Sequence, residues 1–111
     1  MHGTIKSSTE ISAIFSAGKR LNKSTITLIV TSCQHGHQGR VAFIAGKKNG
    51  NAVWRNAAKR RMRAICQELG GPWPGLDIVF LAKRQTLSAD YSKVLDATRD
   101  ALEPFVGELQ R

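Results

Sequence analysis

The chain has 111 residues, 41% of them hydrophobic, with 17 Lys and Arg against 8 Asp and Glu and a formal charge of +9. That length suits one domain with one core, spanning residues 1–111, and excludes two. No apolar run nears the roughly 20 residues of a bilayer span, and the opening MHGTIKSSTE lacks the apolar core of a signal peptide, so a cytoplasmic protein is expected.

The segment 7–20, SSTEISAIFSAGKR, predicts a first helix. Ser7 and Glu10 have capping-box spacing, Ile11, Ile14 and Phe15 share a face, and Gly18 can close it. STITLIVTS (24–32) and RVAFIAG (40–46) are rich in β-branched and apolar residues, and the loop CQHGHQG between them suits a hairpin joining two adjacent strands. After the turn signal Asn49-Gly50-Asn51 a long helix is expected over about 52–69, stopped by Gly70-Gly71-Pro72. LDIVFLA (76–82) reads as a strand covered on both faces, and SADYSKVLDATRDALEPF (88–105) as a last helix with Tyr91, Val94, Leu95, Leu102 and Phe105 inward. Strand, long helix and strand allow a parallel crossover, so the order is αβ(β)αβα on one small sheet, an α+β fold.

The charge is unevenly distributed. Residues 1–67 carry twelve Lys or Arg against Glu10 alone, a net of +11, whereas residues 68–111 carry five against seven, a net of −2. One strongly positive surface attracts a polyanion whatever the fold beneath it, with nucleic acid the first candidate and an anionic membrane the second.

On the long helix, Arg55, Asn56, Lys59, Arg60 and Arg63 fall within an arc of about 140°. Trp54, Ala58, Met62, Ile65 and Leu69 take the opposite side, and Arg61 stands outside the arc beside Trp54. Most charged helix faces are only solvated, but such faces usually mix signs to gain i,i+4 pairs of about 0.2–0.5 kcal/mol. Here the like charges at 55, 59 and 63 repel, which favours a bound anion. Lys47 and Lys48, just ahead of the helix N-terminus, add a phosphate-sized site, where Gly50 permits a close backbone approach. GKKNGNAV is not a P-loop, since no Lys-Ser/Thr follows the second glycine. Asn51 and Asn56 can hydrogen-bond ribose, phosphate or base edges, and the arginines can grip phosphate through two parallel bonds, which together suit a structured RNA.

Phe15, close to Lys19, Arg20 and Lys23, is read either as a base-stacking aromatic or as ordinary core. No Ser/His/Asp or Cys/His spacing signals catalysis, and the scarcity of acids leaves little to hold Mg²⁺ or move protons. Cys33, His35 and His37 make a poor zinc site without a fourth ligand, and Cys33 and Cys66 are too few for a disulfide framework. Three other readings are a general or ribosome-associated RNA-binding module, a DNA-binding regulator, which lacks a helix-turn-helix, and a self-sufficient protein nuclease, which lacks acids.

KKNGNAVWRNAAKRRMR resembles the signature of the bacterial ribonuclease P protein component: paired lysines, Gly-Asn-Ala-Val, Arg-Asn and a Lys-Arg helix in that order. The likeness extends through IFSAG, RVAFIAG and LDIVFLAKR over nearly the whole chain. The resemblance implies a two-layer sandwich and a subunit that helps a catalytic RNA, with its bound Mg²⁺, remove the 5′ leader from precursor tRNA. It implies no catalytic protein side chain, RNA docking by Lys47, Lys48, Asn51, Arg55, Asn56, Lys59, Arg60 and Arg63, and a leader cleft at Ile11, Phe15 and Ile29. The sequence departs from the family at Ala57, where arginine is usual after Arg-Asn, and at Ile11 and Ile29, often aromatic in relatives. Arg61 or Lys48 is a candidate to replace the contact missing at Ala57.

Overall fold

The structure, a computed structural model, describes residues 8–32 and 39–107. The elements are α1 (Ser8–Ala17), β1 (Lys19–Asn22), β2 (Ile26–Ser32), β3 (Arg40–Ile44), a 3-10 turn (Lys47–Asn49), α2 (Ala52–Glu68), β4 (Leu76–Ala82), the one-turn α3 (Gln85–Ser88) and α4 (Tyr91–Val106). One sheet has the strand order β1-β2-β4-β3, with β1–β2 and β2–β4 antiparallel and β3–β4 parallel. The expected crossover is β3–α2–β4.

The expected hairpin between β2 and β3 is not formed. β4 lies between them, and the hairpin partner of β2 is β1, whose sequence KRLN hides a strand under three polar residues. The cause is apolar content. LDIVFLA is covered on both faces and belongs in the middle of the sheet, whereas the charged β1 is suited to an edge where its outer backbone groups meet water.

Side chains alternate between the faces with the period of two that strands impose. Ile26, Leu28, Val30, Val41, Ile78 and Phe80 meet Ala58, Met62 and Ile65 of α2 and Val94 and Leu102 of α4 in the main core. Ile29, Ala42 and Val79 face the other way, under Ile14 of α1. The α+β class is as expected, and α1 is laid on the sheet face that α2 and α4 leave open. Gly18 closes α1 because a Cβ there would stand 2.7 Å from both the Ile14 carbonyl oxygen and Ile29 Cγ2.

Glu10, the lone acid of the first 67 residues, has a structural task. One terminal nitrogen of Arg40 donates to both Glu10 oxygens at 2.9 Å, and Nε and the other terminal nitrogen donate to Asp77 at 3.3 and 2.9 Å. Asp77 is 5% exposed, and a buried carboxylate needs such a partner. The clamp ties α1 to β3 and β4, and the two carboxylates, Asp77 foremost, hold the Arg40 guanidinium above its ordinary pKa. Ser7 lies outside the described residues.

The last helix begins later than position 88. Its N-cap is Asp90, and α3 precedes it. Thr86 is buried, accepting from the Lys83 N–H at 2.8 Å and donating to the Thr25 carbonyl at 2.7 Å, so this turn is organised by a distant loop. Val94, Leu95 and Leu102 are buried, with Tyr91 and Phe105 half-buried against the core.

Candidate nucleic-acid interface

Asn51 is extended (φ −80°, ψ −174°) and its Oδ1 accepts from the Trp54 N–H at 3.0 Å, the N-cap that starts α2. Gly50 is needed for the same fold-back, since a Cβ there would lie 2.7 Å from Trp54 Cβ. The space opened by this glycine is thus filled by an indole. Ala58, Met62, Ile65 and Cys66 are the buried residues of α2, with Leu69 buried at its C-cap. The helix therefore docks by the apolar side expected.

On its other side Asn56, Arg60 and Arg63 are exposed, Arg55 and Lys59 half-buried, and Lys47, Lys48 and Asn51 exposed just ahead. Among the described residues the ion pairs are those of Arg40 with Glu10 and Asp77 and of Arg99 with Asp96, none of which neutralises α2. Arg55 Nε is buried and has no acceptor. A buried donor left unpaired costs about 1–3 kcal/mol. Uncompensated like charges on exposed side chains make this surface receptive to phosphate.

Arg61 is not part of it. One terminal nitrogen donates to the carbonyls of Ala89, Thr86 and Leu87 at 2.7, 3.2 and 3.4 Å, and Cζ lies 5.7 Å from the Tyr91 ring centroid. It satisfies the C-terminal carbonyls of α3 and is not placed to substitute for an arginine at 57. Burial and then a hydrogen bond to Glu68 push the Tyr91 pKa up.

Two cations missed in the sequence join Lys48. Lys83 and Arg84, with Ser24, Asn49, Ala82 and Gln85, line a cavity of about 410 Å³ beyond the end of β4. Lys83 Nζ is held by the Lys23 carbonyl at 2.7 Å and Asn22 Oδ1 at 3.2 Å. The signal was present as the basic pair following LDIVFLA, but only the fold brings it to Lys48.

The α1 face divides the three expected cleft residues. Phe15 is 37% exposed, which removes the core reading; Ile11 is half-buried, and Ile29, 1% exposed, forms the floor beneath Ile14. Arg20 pairs with Ile29 across β1–β2 and so shares its face. Among the described residues no group of three His, Cys, Asp or Glu could hold a metal ion, and Cys33, His35 and His37 lie outside them.

This fold recurs in known proteins. A family model described as Ribonuclease P matches residues 2–106. The chain belongs to the ribonuclease P protein component family. It is 34% identical over 90 residues to the ribonuclease P protein component of Streptococcus equi subsp. equi, covering 81% of this chain and 75% of that protein. Against that of Symbiobacterium thermophilum it is 32% identical over 111 residues, covering 96% and 93%. The Staphylococcus aureus ribonuclease P protein superposes with a TM-score of 0.82 at 19% identity, covering 97% of this chain and all of that one, and that of Thermotoga maritima with 0.78 at 23%, covering 94% and 98%; these two likenesses show the fold. As a member of the family the chain is an RNA-binding subunit of the ribonuclease P endoribonuclease holoenzyme, partnered by an RNA subunit, in tRNA processing.

Proposed function

We propose that Lys47, Lys48, Asn51, Arg55, Asn56, Lys59, Arg60 and Arg63 dock on the RNA subunit, while the α1 face holds the single-stranded 5′ leader of precursor tRNA. The unneutralised cationic stripe on α2 carries this reading. Phe15 offers a ring to a leader base, Ile11 an apolar flank, and Ile29 a floor beneath Ile14 and Ile11. Mg²⁺ is assigned to the RNA subunit and substrate, and hydrolysis to the RNA. The protein contributes cations that lower phosphate repulsion between two RNAs, and it keeps the leader in register, which reduces the Mg²⁺ needed. The site of action is cytoplasmic, and no helix among the described residues is long and apolar enough to cross a membrane.

The test is cleavage of a 5′-extended precursor tRNA at low Mg²⁺ by the protein alone, a bacterial ribonuclease P RNA alone, and both together. Cleavage in the mixture only is expected. No stimulation despite tight RNA binding would indicate a general RNA-binding module, and cleavage by the protein alone would indicate a protein nuclease. Phe15→Ala is expected to reduce the advantage of long leaders more than the affinity for the RNA subunit.

A further inference from the structure

Phe80 and Phe43 are register partners on the parallel strands β4 and β3, with ring centroids 5.1 Å apart and planes tilted by 49°. Arg63 Cζ lies over the Phe43 ring, 5.5 Å from its centroid. These three side chains rise from core to surface, Phe80 being 0% exposed, Phe43 half-buried and Arg63 exposed. Among the described residues β3 is an edge strand, and no further strand of them covers the outer part of this column. Among the described residues Arg63 makes this ring contact and has neither ion pair nor hydrogen bond, unlike Arg61, whose nitrogen is turned to three carbonyls.

We infer that Arg63 and Phe43 form a stacking platform for one unpaired nucleobase of the RNA subunit, a role distinct from phosphate contact. The inference rests on α2 being the RNA-docking surface. A guanidinium seated over a ring is oriented by it, is weakly hydrated, and can receive a second planar group on its open side. Lys59 and Arg60, one turn earlier on the same helix, are placed to hold the sugar–phosphate strand that carries the base. The ligand is a base in a loop, bulge or junction, because a base paired within an A-form duplex shows no free face.

The experiment is binding of the full chain to a bacterial ribonuclease P RNA across a salt series, with a perfect RNA duplex as comparison. Arg63→Lys keeps the charge and loses the plane. It is expected to weaken binding to the ribonuclease P RNA by roughly 5-fold or more with an unchanged salt slope, and to leave duplex binding alone. Phe43→Leu should weaken binding as well, and the double variant should bind no worse than the weaker single one. Phe43 also packs in the core, so its melting temperature is measured alongside; if Phe43→Leu does not fold, Arg63→Lys decides by itself. Arg63→Lys binding like the parent, or effects of the two variants that multiply, would overturn the platform. Arg60→Ala separates the two levels: parental affinity and slope in that variant would mean that α2 is not the docking surface at all.

Discussion

Cys66 sits in the main core with its Sγ beneath Gly71, where an added Cβ would come within 2.6 Å. Burial pushes its thiol up from 9.0 to about 12, because the thiolate would lose its hydration there. A raised folded-state pKa favours the protonated form in the native state. Its contribution to stability is therefore complete below the ordinary thiol pKa of 9.0 and is lost as pH rises from there through about 12. In a Cys33→Ser background, Cys66 should resist a thiol reagent at pH 8 until the protein unfolds. The steep loss of stability above about pH 9 should be smaller once Cys66→Ala is added. Rapid labelling of the native protein would contradict the burial. The same desolvation logic separates the arginines: Arg55 hides an unpaired N–H, whereas Arg60 is exposed and free to meet a phosphate.

At the level of elements, α2 is held by what its flanks reach. Arg61 extends to the end of α3 and Tyr91, Arg63 to Phe43 on β3, and the cationic stripe is presented with this rotation. Arg61→Met should cost about 1–3 kcal/mol in urea unfolding through the carbonyls it leaves unpaired, and should leave the salt slope of RNA binding as it was. Arg60→Ala should do the reverse, keeping stability and flattening that slope by roughly 0.7–0.9. Equal slope changes for both would mean that Arg61 also contacts RNA. Sequence patterning found α1, β2, β3, α2, β4 and the body of α4, since each has a long apolar periodicity. It missed β1 and α3, which have four residues each and too little pattern of their own. β1 exists by pairing with β2, and α3 by the Thr86 hydroxyl bond to Thr25.

At the scale of the molecule, among the described residues the cations of the first 67 positions form no ion pair with an acid of the other half apart from the Arg40 clamp. Five site cations, Lys47, Lys48, Arg55, Lys59 and Arg60, set the expected salt response, Arg63 being assigned to a base. If each displaces one counterion, the affinity for the RNA subunit should fall with log salt at a slope of roughly −3.5 to −4.5. A slope near −1 would show that most of these charges face only water. The clamp matters at this scale too, because it joins α1 to the sheet and so the Phe15 side of the molecule to the rest.

The α+β class, the parallel crossover, the buried and cationic sides of α2 and the family itself were determined by sequence alone. They follow from local periodicity, from a long ordered motif and from charge, none of which needs a partner segment to be known. Strand order, the exposure of Phe15 against the burial of Ile29, the diversion of Arg61, the gathering of Lys83 and Arg84 beside Lys48, and the seat of Arg63 on Phe43 were decided by tertiary structure. Each is a contact between residues far apart in the chain, and periodicity says which face a side chain occupies but not what lies opposite it.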